Sequence, residues 1–263
     1  MRNALIFRQM IEFASSTYTY ILGCAATRKA VIIDPVLETA HRDAQIIREL
    51  DLDLLYGLNT HVHADHVTGT AVLKTAFPSM KSVLAASSGG KADLHVKEGD
   101  KIKFGHEHLD VLATPGHTDG CISYVSNAHR MVFTGDSLLI RGCGRTDFQQ
   151  GNPRTLYRSI SDKIFTLPDD YIVYVGHNYE GILQSSVGEE KKYNPRLTKS
   201  EDEFVKIMKE LNLDYPKQIE MERRAPTKST IVAGDIDSDA RGAVALRLGR
   251  CRRWITAIDG HCT

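Results

Sequence analysis

His61-Val62-His63-Ala64-Asp65-His66 places four metal-ligand side chains within six positions, directly after the apolar run Leu54-Leu55-Tyr56-Gly57-Leu58. On an extended backbone His61, His63 and Asp65 share one face, and a turn brings His66 to them. A strand that feeds such a cluster into a turn is where α/β sheets place chemistry, beyond the carboxyl ends of the strands. A helical stretch from Val67 to Phe77 follows and is stopped at Pro78.

Three further donors stand downstream, each after a β-like run that ends in glycine. Val111 to Gly116 delivers His117, Met131 to Gly135 delivers Asp136, and Tyr171 to Gly176 delivers His177. Glycine lets the backbone turn sharply, so that the next side chain can point at a shared centre. A lone histidine of this kind is weak evidence; four donor groups at strand ends in one chain point to a metal centre.

The bulk properties narrow the class. At 263 residues, 42% hydrophobic and 25% charged, the chain has the composition of a globular protein with a sizeable core. Its 33 basic and 33 acidic residues cancel, which argues against nucleic acid as a partner. The 5 cysteines, Cys24, Cys121, Cys143, Cys251 and Cys262, are odd in number and irregular in spacing, so no disulfide framework is expected. No apolar stretch approaches the roughly 18 residues needed to span a bilayer, and no membrane partner is expected. The strand beginning at Leu5 leaves little room for a cleavable targeting segment.

Taken in order, strands are expected at 5–11, 17–23, 30–33, 54–59, 82–86, 101–104, 109–113, 121–126, 130–134 and 172–175. Helices are expected at 39–50, 67–77, 153–165, 185–193 and 200–211. Ser200 followed by Glu203 has the form of a capping box at the start of the last helix. Residues 1–220 read as the catalytic domain. Residues 221–263, with Trp254 as the only tryptophan, change character: they read as a basic, loosely ordered tail.

The cluster His61 to His66, the Pro-Gly-His at 115–117, the Thr-Gly-Asp at 134–136 and the Gly-His at 176–177 resemble the metallo-β-lactamase fold superfamily. The run Leu138 to Gly151 (LLIRGCGRTDFQQG), with Asn194-Pro195-Arg196-Leu197-Thr198 and Glu203 to Met208, is similar to the persulfide dioxygenase family within it. The resemblance runs from about Leu5 to Ile219. It implies an α/β four-layer αββα sandwich and a mononuclear non-haem iron dioxygenase that oxidises glutathione persulfide with O2 to sulfite and glutathione. Two departures stand out. Position 178 is Asn where many members carry Asp, and the basic tail replaces a short proline-containing apolar segment after Ile219.

Two ligand arrangements are open on the residues alone. All seven donors could hold two metals with Asp136 bridging, the arrangement of a glyoxalase II-like glutathione thioester hydrolase with zinc. Alternatively His61, His117 and Asp136 form the two-histidine, one-carboxylate facial triad of Fe(II) oxygenases. Spacing does not decide between them; the resemblance favours one Fe(II) per chain. It then implies that His63, Asp65, His66 and Asn178 orient the ligands and that Tyr179 and His177 are catalytic. Arg196, Tyr179 and Arg145 become the substrate contacts. Of these, Arg196 suits bidentate capture of a glutathione carboxylate, whereas Arg145 suits bracing its own loop through Asp147. Cys143 reads as a small packing residue. A homodimer is expected, and a mitochondrial matrix location follows from the resemblance, with a cytoplasmic location as the alternative.

Overall fold

Alternation along a single strand shows why this chain makes four layers. In β2 (Thr17–Cys24) all eight residues are buried, so both faces must be covered. Tyr18, Tyr20, Leu22 and Cys24 point into one apolar core, and Ile21 points into another. The neighbouring strand β3 (Lys29–Ile33) divides in the same way, with Val31 and Ile33 on one side and Ala30 and Ile32 on the other. The larger core is shared with a second sheet, and the smaller one is closed by helices.

The computed structural model describes residues 4–63, 66–147 and 150–211. The first sheet has the order β1 (Leu5–Glu12), β2, β3, β4 (Asp53–Leu58), β5 (Lys81–Ala85), β6 (Leu94–Val96). The second runs β12 (Ser185–Ser186), β11 (Ile172–Val175), β10 (Met131–Gly135), β9 (Ile122–Ser126), β8 (Glu107–Ala113), β7 (Lys101–Phe104). Helices α1 (Ala40–Glu49) and α2 (Thr70–Ala76) cover the first sheet through Ala40, Ala44, Ile47 and Leu73. Helices α3 (Pro153–Ser159) and α5 (Glu201–Glu210) meet on the second, where Leu156, Phe204 and Met208 join the large core. The short helix α4 (Val187–Tyr193) follows β12 and buries Val187. This is the αββα sandwich expected from the sequence.

Between the sheets Tyr20 meets Phe133 edge-on with centroids 5.1 Å apart, and Phe133 stacks on Tyr174 at 5.2 Å. Such pairs add about 0.5–1.5 kcal/mol beyond burial. The Tyr20 hydroxyl donates to the Val175 carbonyl at 2.6 Å and ties one sheet to the other. Strands β3, β4 and β5 are parallel, as are β10 and β11. Consequently Asp34, His61, Asp136 and His177 all emerge beyond carboxyl-terminal strand ends. Tyr18 N donates to Gly176 O at 2.8 Å, bringing those ends of the two sheets together.

Most expected elements are present, including the capping box of Ser200 and Glu203. Three boundaries differ. Helix α2 begins at Thr70 rather than 67, because the backbone of Val67 and Gly69 is bonded to Leu37 and Pro35. The stretch expected as one helix to 165 changes after Ser159 into a π-turn, Ile160–Ile164. Ser185 and Ser186 pair with β11 before the helix starts, with Ser186 capping α4. The basic tail 221–263 lies outside the described residues. Among those described, no helix is long and apolar enough to cross a membrane.

Asp93 ties α2 to the sheet and gives the fold an acid-sensitive joint. Both its oxygens accept from Lys74 Nζ at 2.7 Å, and Ser82 donates to it through N and Oγ. The Lys74 ammonium, aided by Ser82, lowers its pKa to about 2. A depressed folded-state pKa contributes stability above the unfolded value, and that stability is lost as pH falls from about 4 to about 2. The pair is about one-third exposed, so screening leaves about 1 kcal/mol. Urea unfolding of Asp93→Asn should therefore show this deficit at pH 6 and converge on wild type near pH 2. A deficit that persists at pH 2 would refute the assignment.

Candidate metal centre

Residue 60 connects strand β4 to its first ligand. Thr60 donates to Asp34 twice, through N at 2.7 Å and through Oγ1 at 2.8 Å. Its hydroxyl proton is thereby committed, so at 3.0 Å Oγ1 accepts from His61 Nδ1. The proton of His61 then lies on Nδ1, and its Nε2 carries the lone pair a metal needs. The same logic fixes His117. Its Nδ1 lies 2.7 Å from the Arg145 carbonyl, which can only accept, leaving Nε2 as the ligand atom.

Asp136 completes the set. It leaves β10 after Gly135, whose φ of +52° and contact with Thr60 (a β-carbon would stand 2.3 Å from Oγ1) exclude a side chain. Asp136 Oδ2 is 3.8 Å from His117 Nε2, and Oδ1 accepts from His177 Nδ1 at 2.7 Å. Burial works to raise the Asp136 pKa. The charge and hydrogen bond of His177, with His61 and His117, outweigh it and hold the group far below the usual carboxylate range. Among the described residues, one set of three donors converges: His61, His117 and Asp136, with ligand atoms within 4.8 Å of one another. Two neutral imidazole nitrogens and a carboxylate at that spacing fit a single divalent ion with positions left open.

The other histidines face the protein. His63 Nε2 lies 3.1 Å from Asp34 Oδ1, and the His63 and His66 rings are 4.2 Å apart. His66 Nδ1 is 3.4 Å from Thr17 Oγ1. In His177 both ring nitrogens meet protein groups, Nδ1 at Asp136 and Nε2 at Thr17 Oγ1, 3.0 Å away. That leaves no ring nitrogen of His177 for a second ion. Asp65 lies outside the described residues.

The contacts of Asn178 show what its amide does. Oδ1 accepts from Glu180 N at 3.0 Å and Ile182 N at 2.8 Å, closing the loop after β11. A carbonyl oxygen fills both bonds without charge. On that loop Tyr179 is exposed, with its ring parallel to that of His177 at 6.3 Å. Arg145 forms a bidentate pair with Asp147 at 2.7 Å, the bracing role that its position suggested. Arg196 donates from Nη1 to the Cys143 carbonyl at 3.2 Å. A cleft of about 520 Å³ lined by Arg145, Thr146, Asp147, Pro153, Met208 and Lys209 opens beside this loop.

Asp34 and Thr60 were not among the sequence candidates. Asp34-Pro35 ends a strand as the other donors do, and that was the available signal. Cys143 is buried, and burial raises its pKa to about 11 although Arg196 opposes the shift; Cys121 is raised to about 12 by the same cause. Alkylation of the folded protein at pH 8, resolved by peptide mass spectrometry, should leave both thiols unmodified until denaturant is added. Rapid labelling of Cys143 in the folded state would contradict its packing role.

Comparison with known proteins follows the same lines. The family model described as the metallo-beta-lactamase superfamily matches residues 14–177. Mouse "persulfide dioxygenase ETHE1, mitochondrial" is 57% identical over 217 residues, 82% of this chain and 85% of the mouse protein. Hydroxyacylglutathione hydrolase GloC of Haemophilus influenzae is 35% identical over 191 residues, 65% of this chain and 88% of its own. The crystal structure of ETHE1 from Myxococcus xanthus superposes with a TM-score of 0.79 at 50% identity, covering 82% of this chain and 95% of that one.

Proposed function

Because the chain belongs to the persulfide dioxygenase family of the metallo-beta-lactamase superfamily, we propose that it oxidises glutathione persulfide on one Fe(II) held by His61, His117 and Asp136. The overall change is glutathione persulfide, O2 and water to glutathione and sulfurous acid. The observation that carries the one-ion reading is His177: with Nδ1 on Asp136 and Nε2 on Thr17, it is committed to the protein. Iron, when bound, supplies the redox chemistry and the open positions that O2 and a soft sulfur anion require.

The chain's own groups bind and orient. Thr60 and the Arg145 carbonyl keep the protons of His61 and His117 on Nδ1, away from the centre. His177 holds one Asp136 oxygen, so the other is presented to the metal. His63, against Asp34, and His66, against Thr17, support this shell, and Asn178 shapes the loop that carries Tyr179 to the rim. The cleft beside Arg145 is large enough for a tripeptide persulfide; Lys209 on its lining and Arg196 nearby suit the two carboxylates of glutathione, while Arg145, paired with Asp147, braces the loop that frames it. Holding persulfide and O2 together supplies proximity. The word mitochondrial in the relatives' names supports that location for this chain.

Elemental analysis with an oxygen electrode tests the reading. One iron per chain and O2 uptake dependent on glutathione persulfide are expected. Two zinc ions per chain, no O2 uptake and cleavage of a glutathione thioester would establish the hydrolase instead.

A further inference from the structure

We propose that Glu190, Asn194 and Arg196 are positioning residues for His117, acting through the loop 141–145 that separates them from its ring. The proposal rests on His117 being a metal ligand. Two contacts make the ring follow the loop. The Arg145 carbonyl takes the His117 Nδ1 proton, and Gly144 lies so close that a β-carbon there would stand 2.9 Å from His117 Cγ and Nδ1.

The loop is in turn gripped from α4 and the turn after it. Asn194 Nδ2 donates to the Gly142 carbonyl at 3.0 Å, and Arg196 Nη1 to the next carbonyl, Cys143, at 3.2 Å. At the loop's entry Arg141 adopts a φ of +55°, a conformation that a non-glycine residue keeps only when its surroundings hold it. What holds it is Glu190, fully buried, which accepts from Arg141 N at 2.9 Å and from Arg141 Nη1 at 2.5 Å. The same carboxylate accepts from Ser185 Oγ at 2.6 Å and Asn194 Nδ2 at 2.9 Å. Four donors on one buried carboxylate form a rigid frame that fails as a unit when an acceptor is lost. A loop held this firmly aims the imidazole that donates to its Arg145 carbonyl, and losing such outer partners typically costs 10–100-fold in metal affinity.

The test loads the full-length protein with Co(II) and follows its visible band during release to excess EDTA. Glu190→Gln removes one acceptor oxygen without changing size, and Arg196→Met frees the Cys143 carbonyl. Both should release Co(II) about tenfold faster or more, with a shifted band. Asp93→Asn, which weakens the fold far from this loop, should release it at the wild-type rate. Should Glu190→Gln not fold, Arg196→Met, a half-buried and milder change, decides alone. Release within about twofold of wild type for the loop variants, or equal acceleration by Asp93→Asn, overturns the proposal. A His117→Ala protein that keeps Co(II) as wild type does would overturn the ligand assignment and the proposal with it. Loss of Co(II) from His117→Ala alone would overturn only the proposal.

Discussion

His117→Ala protein is expected to leave a desalting column with roughly a tenth or less of the wild-type metal, and to take up no measurable O2 with glutathione persulfide. Three donors hold the ion in the proposed site, and the substitution leaves two, one of them also engaged by His177. His63 and His177 are poorly placed to substitute, since His63 is turned to Asp34 and His177 to Asp136 and Thr17. The fold should survive. Removing the ring leaves the Arg145 carbonyl without its donor, which costs about 1–3 kcal/mol, a modest part of a domain's stability. Circular dichroism would show native structure while elemental analysis shows lost metal. Full metal occupancy in this variant would remove His117 from the ligand set and reopen the two-metal arrangement.

The donors were legible in the sequence because each is a metal-binding residue type placed after a strand and beside a glycine or a second donor. Local order alone announced His61, His117, Asp136 and His177. The partition of roles among the seven donors was not legible, because it depends on which ring nitrogen meets which partner. His177 loses its ligand capacity only when Thr17, from a strand 160 residues away, reaches Nε2. Glu190 likewise reads as one more charge on an exposed short helix; its burial follows from the loop 141–145 folding back over it. Arg145 stands two residues before Asp147 and Cys143 between two glycines; the structure pairs the first with Asp147 and buries the second. Helix α2 starts late for a tertiary reason, since Pro35 and Leu37 take its first backbone groups before the helix can.

Asp34→Ala should be the most damaging change outside the ligand set, in both stability and metal retention. The carboxylate is buried and accepts Thr60 N, Thr60 Oγ1 and His63 Nε2. Alanine strands these donors, at about 1–3 kcal/mol for an unsatisfied group. It must also adopt Asp34's φ of +48°, which costs a further 1–2 kcal/mol or so. A total of about 3–5 kcal/mol is expected in urea unfolding of the metal-free protein. The effect on metal has a separate cause. Once its proton is released from Asp34, the Thr60 hydroxyl can donate to His61 Nδ1 instead of accepting from it. The imidazole proton then moves to Nε2, where it blocks the lone pair that faces the centre. Metal affinity should fall by about 10–100-fold, beyond any change that a competition assay at matched stability would show for Asp93→Asn. Asp34→Asn tolerates the left-handed backbone and keeps one acceptor, so it should fall between the two. An Asp34→Ala protein that folds and holds metal like wild type would show that Asp34 does not control the His61 proton.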